Sequence, residues 1–73
     1  MGADPIARRE LISRLKQLGF EGPRQSGKHP FMRRGSLKLT IPNKHRSDIS
    51  GQLVDRILAQ ANIPLDSWNE LED

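Results

Sequence analysis

Apolar residues recur at helical spacing near the start of the chain. Ala7, Leu11, Leu15 and Leu18 form one stripe and Ile12 widens it, which predicts a helix over Pro5–Leu18. Arg8, Arg9, Arg14 and Lys16 fall on the other face. Asp4 is a candidate cap, Pro5 suits a first helical turn, and Gly19 marks the stop. From Phe20 onward the period changes. Phe20–Gln25 reads as a short strand weakened by Gly22 and Pro23. Pro23 lacks a backbone donor, which places it at an edge or a bulge. Ser26-Gly27 has turn chemistry. His29–Arg34 and Leu37–Ile41 read as two further strands joined by a hairpin at Gly35-Ser36. Leu37, Leu39 and Ile41 alternate with Lys38 and Thr40, so the last strand has one apolar and one polar face.

Pro42–Ser47 is a basic loop containing Lys44, His45 and Arg46. A second helix begins near Ser47–Ser50, with Ser47, Asp48 and Ser50 as candidate caps, and runs to about Asn62. Leu53, Val54, Ile57, Leu58 and Ala61 form its apolar stripe, and Pro64 ends it. Asp66 is placed to cap one last turn holding Trp68 and Leu71, with Trp68 as a latch for the tail. The order is α-β-β-β-α. An antiparallel three-stranded sheet with both helices on one face buries every stripe. The fold class is α+β and resembles a double-stranded-RNA-binding domain. The 73 residues make a single domain, with the core over about 5–63 and a short acidic tail over 64–73.

Composition narrows the chemistry. The absence of cysteine excludes disulfides, thiolate zinc sites and cysteine nucleophiles, and fits a cytoplasmic protein. No apolar run approaches the roughly 20 residues of a membrane span. The first residues lack the apolar segment of a secretory signal, and Ile6 breaks the myristoylation pattern after Gly2. Charge is segregated. Residues 1–46 carry a net +8 and residues 47–73 a net −5. A basic front two-thirds is the footprint of a polyanion binder, against the plainer reading of a solvated surface.

Gln25-Ser26-Gly27-Lys28-His29 carries the candidate chemistry. It sets His29 after a small-residue turn at the mouth of a strand, among Arg24, Lys28, Arg33 and Arg34. Histidine takes up and releases a proton near neutral pH, and RNA supplies its own nucleophile in the 2′-OH. The plainer reading is an ordinary surface histidine beside a turn. Lys28, Arg33, Arg34 and Lys38, with Lys44 and Arg46 in the loop, are candidates to bind phosphate; some serve solubility alone on the plainer reading. Strict alternation puts Phe31 on the face of His29 and Arg33, and Pro30 and Met32 on the other. An exposed His29 then makes Phe31 a stacking platform for a base. A core Phe31 requires a bulge that turns His29 outward, and core packing is the expectation adopted. The acids sit mostly in the last third and no carboxylate cluster accompanies the histidines, which disfavours a metal nuclease.

Several of these residues together resemble the HicA (YcfA-like) toxins, messenger-RNA interferases of bacterial toxin–antitoxin pairs. The resemblance rests on Leu18-Gly19-Phe20 after the first helix and Gly27-Lys28-His29 opening the second strand. It extends through Thr40-Ile41-Pro42, a polar loop with His45, and the helix Gly51–Ala61, covering about residues 5–63. It implies a cytoplasmic endoribonuclease that cleaves messenger RNA and inhibits translation. No metal or other cofactor is implied, and a HicB-like antitoxin silences the toxin. The family's catalytic histidine falls on His29. His45 is the candidate second acid or base. The residue before that histidine is usually small or polar in the family, and here it is Lys28. Two rivals stand beside this reading. One is a non-catalytic RNA-binding module of the same fold. The other is a small DNA-binding or interaction protein using one helix, which the charge-poor helix Gly51–Asn62 argues against.

Overall fold

A computed structural model describes residues 2–42 and 48–71. The elements are β1 (Ile6–Ala7), α1 (Arg8–Gln17), β2 (Glu21–Ser26), β3 (His29–Arg34), β4 (Leu37–Thr40), β5 (Asp48–Ile49), α2 (Gly51–Ala61) and α3 (Leu65–Asn69). The fold is α+β, consistent with a double-stranded-RNA-binding-domain-like architecture. β2, β3 and β4 form an antiparallel sheet in sequential order. Its inner face carries Met32 and Leu39, a cross-strand pair that is fully buried. Ile41 donates its backbone N–H to the Pro30 carbonyl at 2.9 Å, extending the β3–β4 ladder one step.

Both helices press their stripes onto that inner face. α1 lies beside β2 and contributes Leu11 and Leu15; α2 lies beside β4 and contributes Val54, Ile57, Leu58 and Ala61. Phe20, Ile6, Ile49, Ile63 and Trp68 complete the core, and every buried side chain among the described residues is hydrophobic. Removing this apolar surface from water is the main stabilising term for so small a domain.

The first helix starts later than its stripe predicts. Asp4 and Pro5 lie in an extended lead-in, and Ala7 is the N-cap with no side-chain bond to the helix end. The cause is a long-range pairing: Ile6 opposes Ile49 and Ala7 opposes Asp48 in a two-residue antiparallel bridge. Burying Ile6 against Ile49 holds the segment extended where Asp4 would otherwise cap. Asp55 adds a second tie, its Oδ1 accepting the Ala3 backbone N–H at 2.8 Å. The α1 exit follows the expected chemistry. Gly19 has a φ of 95°, the Phe20 N–H reaches the Leu15 carbonyl, and the Gly19 N–H reaches the Lys16 carbonyl. This is the paired six-to-one and five-to-two closure of a helix end.

α2 is capped by Ser50, whose Oγ accepts the Leu53 N–H at 3.2 Å. Of the other two candidate caps, Asp48 lies in β5 and Ser47 lies outside the described residues. Asn62, in a left-handed conformation, closes the helix in the same manner as Gly19, with the Ile63 N–H on the Leu58 carbonyl. α3 has Pro64 rather than Asp66 at its cap position; Asp66 sits within the first turn. Trp68 is buried, and Arg14 of α1 donates to its carbonyl at 3.3 Å while lying 5.3 Å from its ring centre. The tail is therefore latched, and the hydrophobic core reaches past residue 63.

Candidate functional site

The sheet's outer face is the surface the helices leave open. Counting along the ladders gives its rows. Arg24 opposes Phe31, which opposes Thr40. Glu21 opposes Arg33, which opposes Lys38. Ser26 opposes His29 at the end. Strand alternation puts these positions on one side and Pro30, Met32 and Leu39 on the other. His29, Arg24, Arg33, Lys38 and Thr40 are exposed. The expectation that Phe31 packs in the core is corrected. Phe31 is half-buried on the outer face, and Met32 takes the core position beside it. The bulge lies elsewhere, between Glu21 and Arg24 on β2 near Pro23, so β3 keeps strict alternation.

His29 is held by the β2–β3 hairpin. Its central residues are Gly27 and Lys28, one position later than the Ser26-Gly27 turn predicted, so Ser26 belongs to β2. Gly27 alone takes a positive φ, 68°, as expected for a two-residue hairpin with glycine first. The second turn position imposes no such demand, and Lys28 occupies it, exposed, with ordinary backbone geometry. Gln25 braces the turn: its Nε2 donates to the Gly27 carbonyl at 3.2 Å. Sequence reading gave Gln25 no such role. A side-chain amide two residues before a turn glycine was the available signal.

Cations dominate the electrostatics. Residues 20–42 hold five Lys and Arg against one acid, Glu21. Glu21 Oε1 stands 4.0 Å from an Arg24 nitrogen, with 81% and 68% of the two side chains exposed, so water screens the pair and Arg24 stays available. Lys38 Nζ lies 4.3 Å from the Phe31 ring centre. Arg33 Nε donates to the Gly35 carbonyl at 3.0 Å.

Arg34 differs from its neighbour. It starts from the inner side of the strand, stacks 4.6 Å over the Phe20 ring centre, and donates to the Leu18 carbonyl at 3.0 Å. It nonetheless lines an open concavity of about 330 Å³ with Gly19, Glu21, Arg24, Arg33 and Gly35. The structure thus brings His29, Arg33 and Lys38 to one sheet face, sets Lys28 at its turn, and places Arg34 at the far rim. Lys44, His45 and Arg46 lie outside the described residues. Among the described residues no group of three or more carboxylate, imidazole or thiol side chains is gathered in a way that could hold a metal ion. No helix among them is long and apolar enough to cross a membrane.

Against known proteins, no curated protein and no solved structure matches the chain. A family model described as the HicA toxin of bacterial toxin–antitoxin systems matches residues 8–63, from the first residue of α1 to the buried Ile63 after α2. That span covers more than half of the chain and takes in the whole sheet, the Gly27-Lys28 turn and His29, and on this match the chain belongs to the HicA toxin family.

Proposed function

We propose that this toxin is an endoribonuclease that cleaves messenger RNA by metal-independent acid–base chemistry at His29. The carrying observation is the position of His29. It is exposed at the last pair of the β2–β3 ladder, beside Lys28 and on the same face as Arg33 and Lys38. An RNA strand laid on this face meets a proton-transfer group and cations together.

The chemistry needs few parts. The 2′-OH loses its proton and its oxygen attacks the adjacent phosphorus. The bond from phosphorus to the 5′-oxygen breaks, and that oxygen gains a proton. The products are a 2′,3′-cyclic phosphate and a 5′-hydroxyl. His29 serves as base toward the 2′-OH or as acid toward the 5′-oxygen, and His45 is the proposed complement. Lys28 and Lys38 offset the charge that builds on the phosphoryl oxygens. One positioned proton-transfer group contributes about 10²–10⁴ in rate. A HicB-like antitoxin covering His29 and the β3 strand would silence the toxin.

The decisive experiment is cleavage of messenger RNA in EDTA by the wild type and by His29→Ala. Wild-type cleavage with cyclic phosphate ends, and loss of cleavage with RNA affinity kept in the variant, are expected. Equal cleavage by both proteins removes His29 from the chemistry. Binding without cleavage in both supports the non-catalytic module instead.

A further inference from the structure

We propose that the concavity formed by Arg24, Arg33 and Arg34 is a separate phosphate-anchoring subsite. It holds a backbone phosphate of single-stranded RNA about two nucleotides from the bond cleaved at His29. This rests on the reading of the outer face as an RNA surface and adds to it a second, spatially distinct grip.

The first argument is position. His29 and Arg33 are both on β3 and both on its outer face. Four residues of strand at about 3.3 Å each separate them by roughly 13 Å. Arg33 is also tied through Nε to the Gly35 carbonyl, on the side away from His29, so the arginine cluster is held apart from the scissile phosphate. Phe31 lies between them on the same face.

The second argument is how the arginines are held. Arg33 donates through Nε to the Gly35 carbonyl, so both of its terminal nitrogens remain for a ligand. Arg34 is fixed by Leu18 and by the Phe20 ring, and uses one terminal nitrogen for the carbonyl. Among the described residues, Arg24 has only the long, exposed contact to Glu21. Two guanidinium groups are thus oriented by backbone and ring before any ligand arrives. Planar forks of N–H donors match the oxygens of a phosphate, and prior orientation lowers the entropy lost on binding. The concavity is open, as a subsite for a passing strand must be, and Glu21 is the one acid among the described residues that line it.

A carboxylate-rich protein segment would also meet these arginines. Continuity with the His29 face favours RNA, because the same strand presents both sites.

The test uses a short oligoribonucleotide and a set of copies, each with one phosphate replaced by a neutral methylphosphonate. Binding is measured on His29→Ala protein, so the reading does not depend on catalysis. One neutral linkage, about two steps from the bond the wild type cleaves, is expected to weaken binding about tenfold. In Arg24→Gln/Arg33→Gln protein, which keeps Arg34, that linkage should make a much smaller difference, the signature of coupled groups. Arg24→Lys/Arg33→Lys should restore the charge but only part of the affinity. A thermal melt of each variant separates lost binding from lost folding. A linkage effect of undiminished size in the double variant overturns the subsite. RNA affinity unchanged by the arginine substitutions also overturns it, and leaves the concavity to an acidic protein partner. If the wild type cleaves no RNA while the coupling is seen at some linkage, the catalytic reading fails and the phosphate subsite stands.

Discussion

Lys38 on β4 holds its ammonium group 4.3 Å from the centre of the Phe31 ring on β3. They are diagonal neighbours across the ladder, since Phe31 opposes Thr40 and Lys38 opposes Arg33. Phe31 is an outer-face ring rather than a core side chain, and on the proposed RNA surface it is placed to stack on a base. Phe31→Ala should therefore lower affinity for single-stranded RNA several-fold while costing no more than about 1 kcal/mol of stability. Its neighbour Met32 is fully buried against Leu39, and Met32→Ala should cost about 2–5 kcal/mol. Urea unfolding of the two variants separates them. A larger stability loss for Phe31→Ala than for Met32→Ala would contradict the assignment of faces.

Trp68 makes the second case, because it lies beyond the span matched by the family model yet belongs to the core. Truncating a buried tryptophan to alanine costs about 3–5 kcal/mol. A domain this small has a total stability of only about 5–10 kcal/mol, so Trp68→Ala should leave it marginal at best. A chain ending at Pro64 should show a much lower unfolding midpoint than the full chain. Arg14→Ala, which removes the hydrogen bond and ring contact to Trp68 but leaves the indole itself in place, should cost about 1 kcal/mol. An unchanged midpoint after truncation would show that α3 is dispensable.

The three long strands and both main helices were legible in the sequence because each carries its own period. β3 runs over His29–Arg34 and the hairpin to β4 turns at Gly35-Ser36, both as alternation and glycine placement predict. The β1–β5 bridge was not legible. It joins residues more than 40 apart, and two-residue strands have no period to read. That hidden pairing is what displaced the start of α1. The Phe31 error had another source. Alternation placed the ring outside with His29, and the general tendency of aromatics toward the core argued against it. The polar neighbours Arg33, Lys38 and Thr40 were the better guide. The candidate site was half legible. His29, Lys28, Arg33 and Lys38 could be named, but the arginine concavity could not. It depends on the α1–β2 turn and the β3–β4 turn meeting at one end of the sheet.

Glycine substitutions at two positions should rank the strain in β2 and its turn. Gly27 has a φ of 68° and open space around a would-be Cβ, so only the backbone conformation resists a side chain. Gly27→Ala should cost about 1–2 kcal/mol, and Gly27→Asn less, because Asn tolerates that region. Gly22 has a φ of 123°, and a Cβ there would sit 3.0 Å from the Phe31 carbonyl oxygen and 3.2 Å from the Arg24 nitrogen. Both contacts are to backbone inside the β2–β3 ladder and cannot rotate away. Gly22→Ala should cost about 3 kcal/mol or more. Melting temperatures should fall in the order Gly27→Asn, Gly27→Ala, Gly22→Ala, and a milder effect for Gly22→Ala would mean the bulge rearranges at little cost.

Lys28 stands where the family usually has a small or polar residue, and its position in the turn says what the change does. It is exposed, it takes no special backbone conformation, and the glycine before it carries the positive φ. The lysine therefore imposes no strain, and its effect is electrostatic. It adds a cation next to His29, where a phosphate in the proposed reaction must lie. Lys28→Ser should leave the melting temperature within about 1 °C, raise KM for RNA several-fold, and lower kcat several-fold as well, because part of its effect falls on charge that builds only during the reaction. The salt dependence of RNA binding should become shallower by about one unit of slope, because one fewer counterion is released. The same two measurements test the opposite role. If Lys28→Ser instead raises kcat with KM and salt slope unchanged, the lysine crowds the catalytic turn rather than binding phosphate.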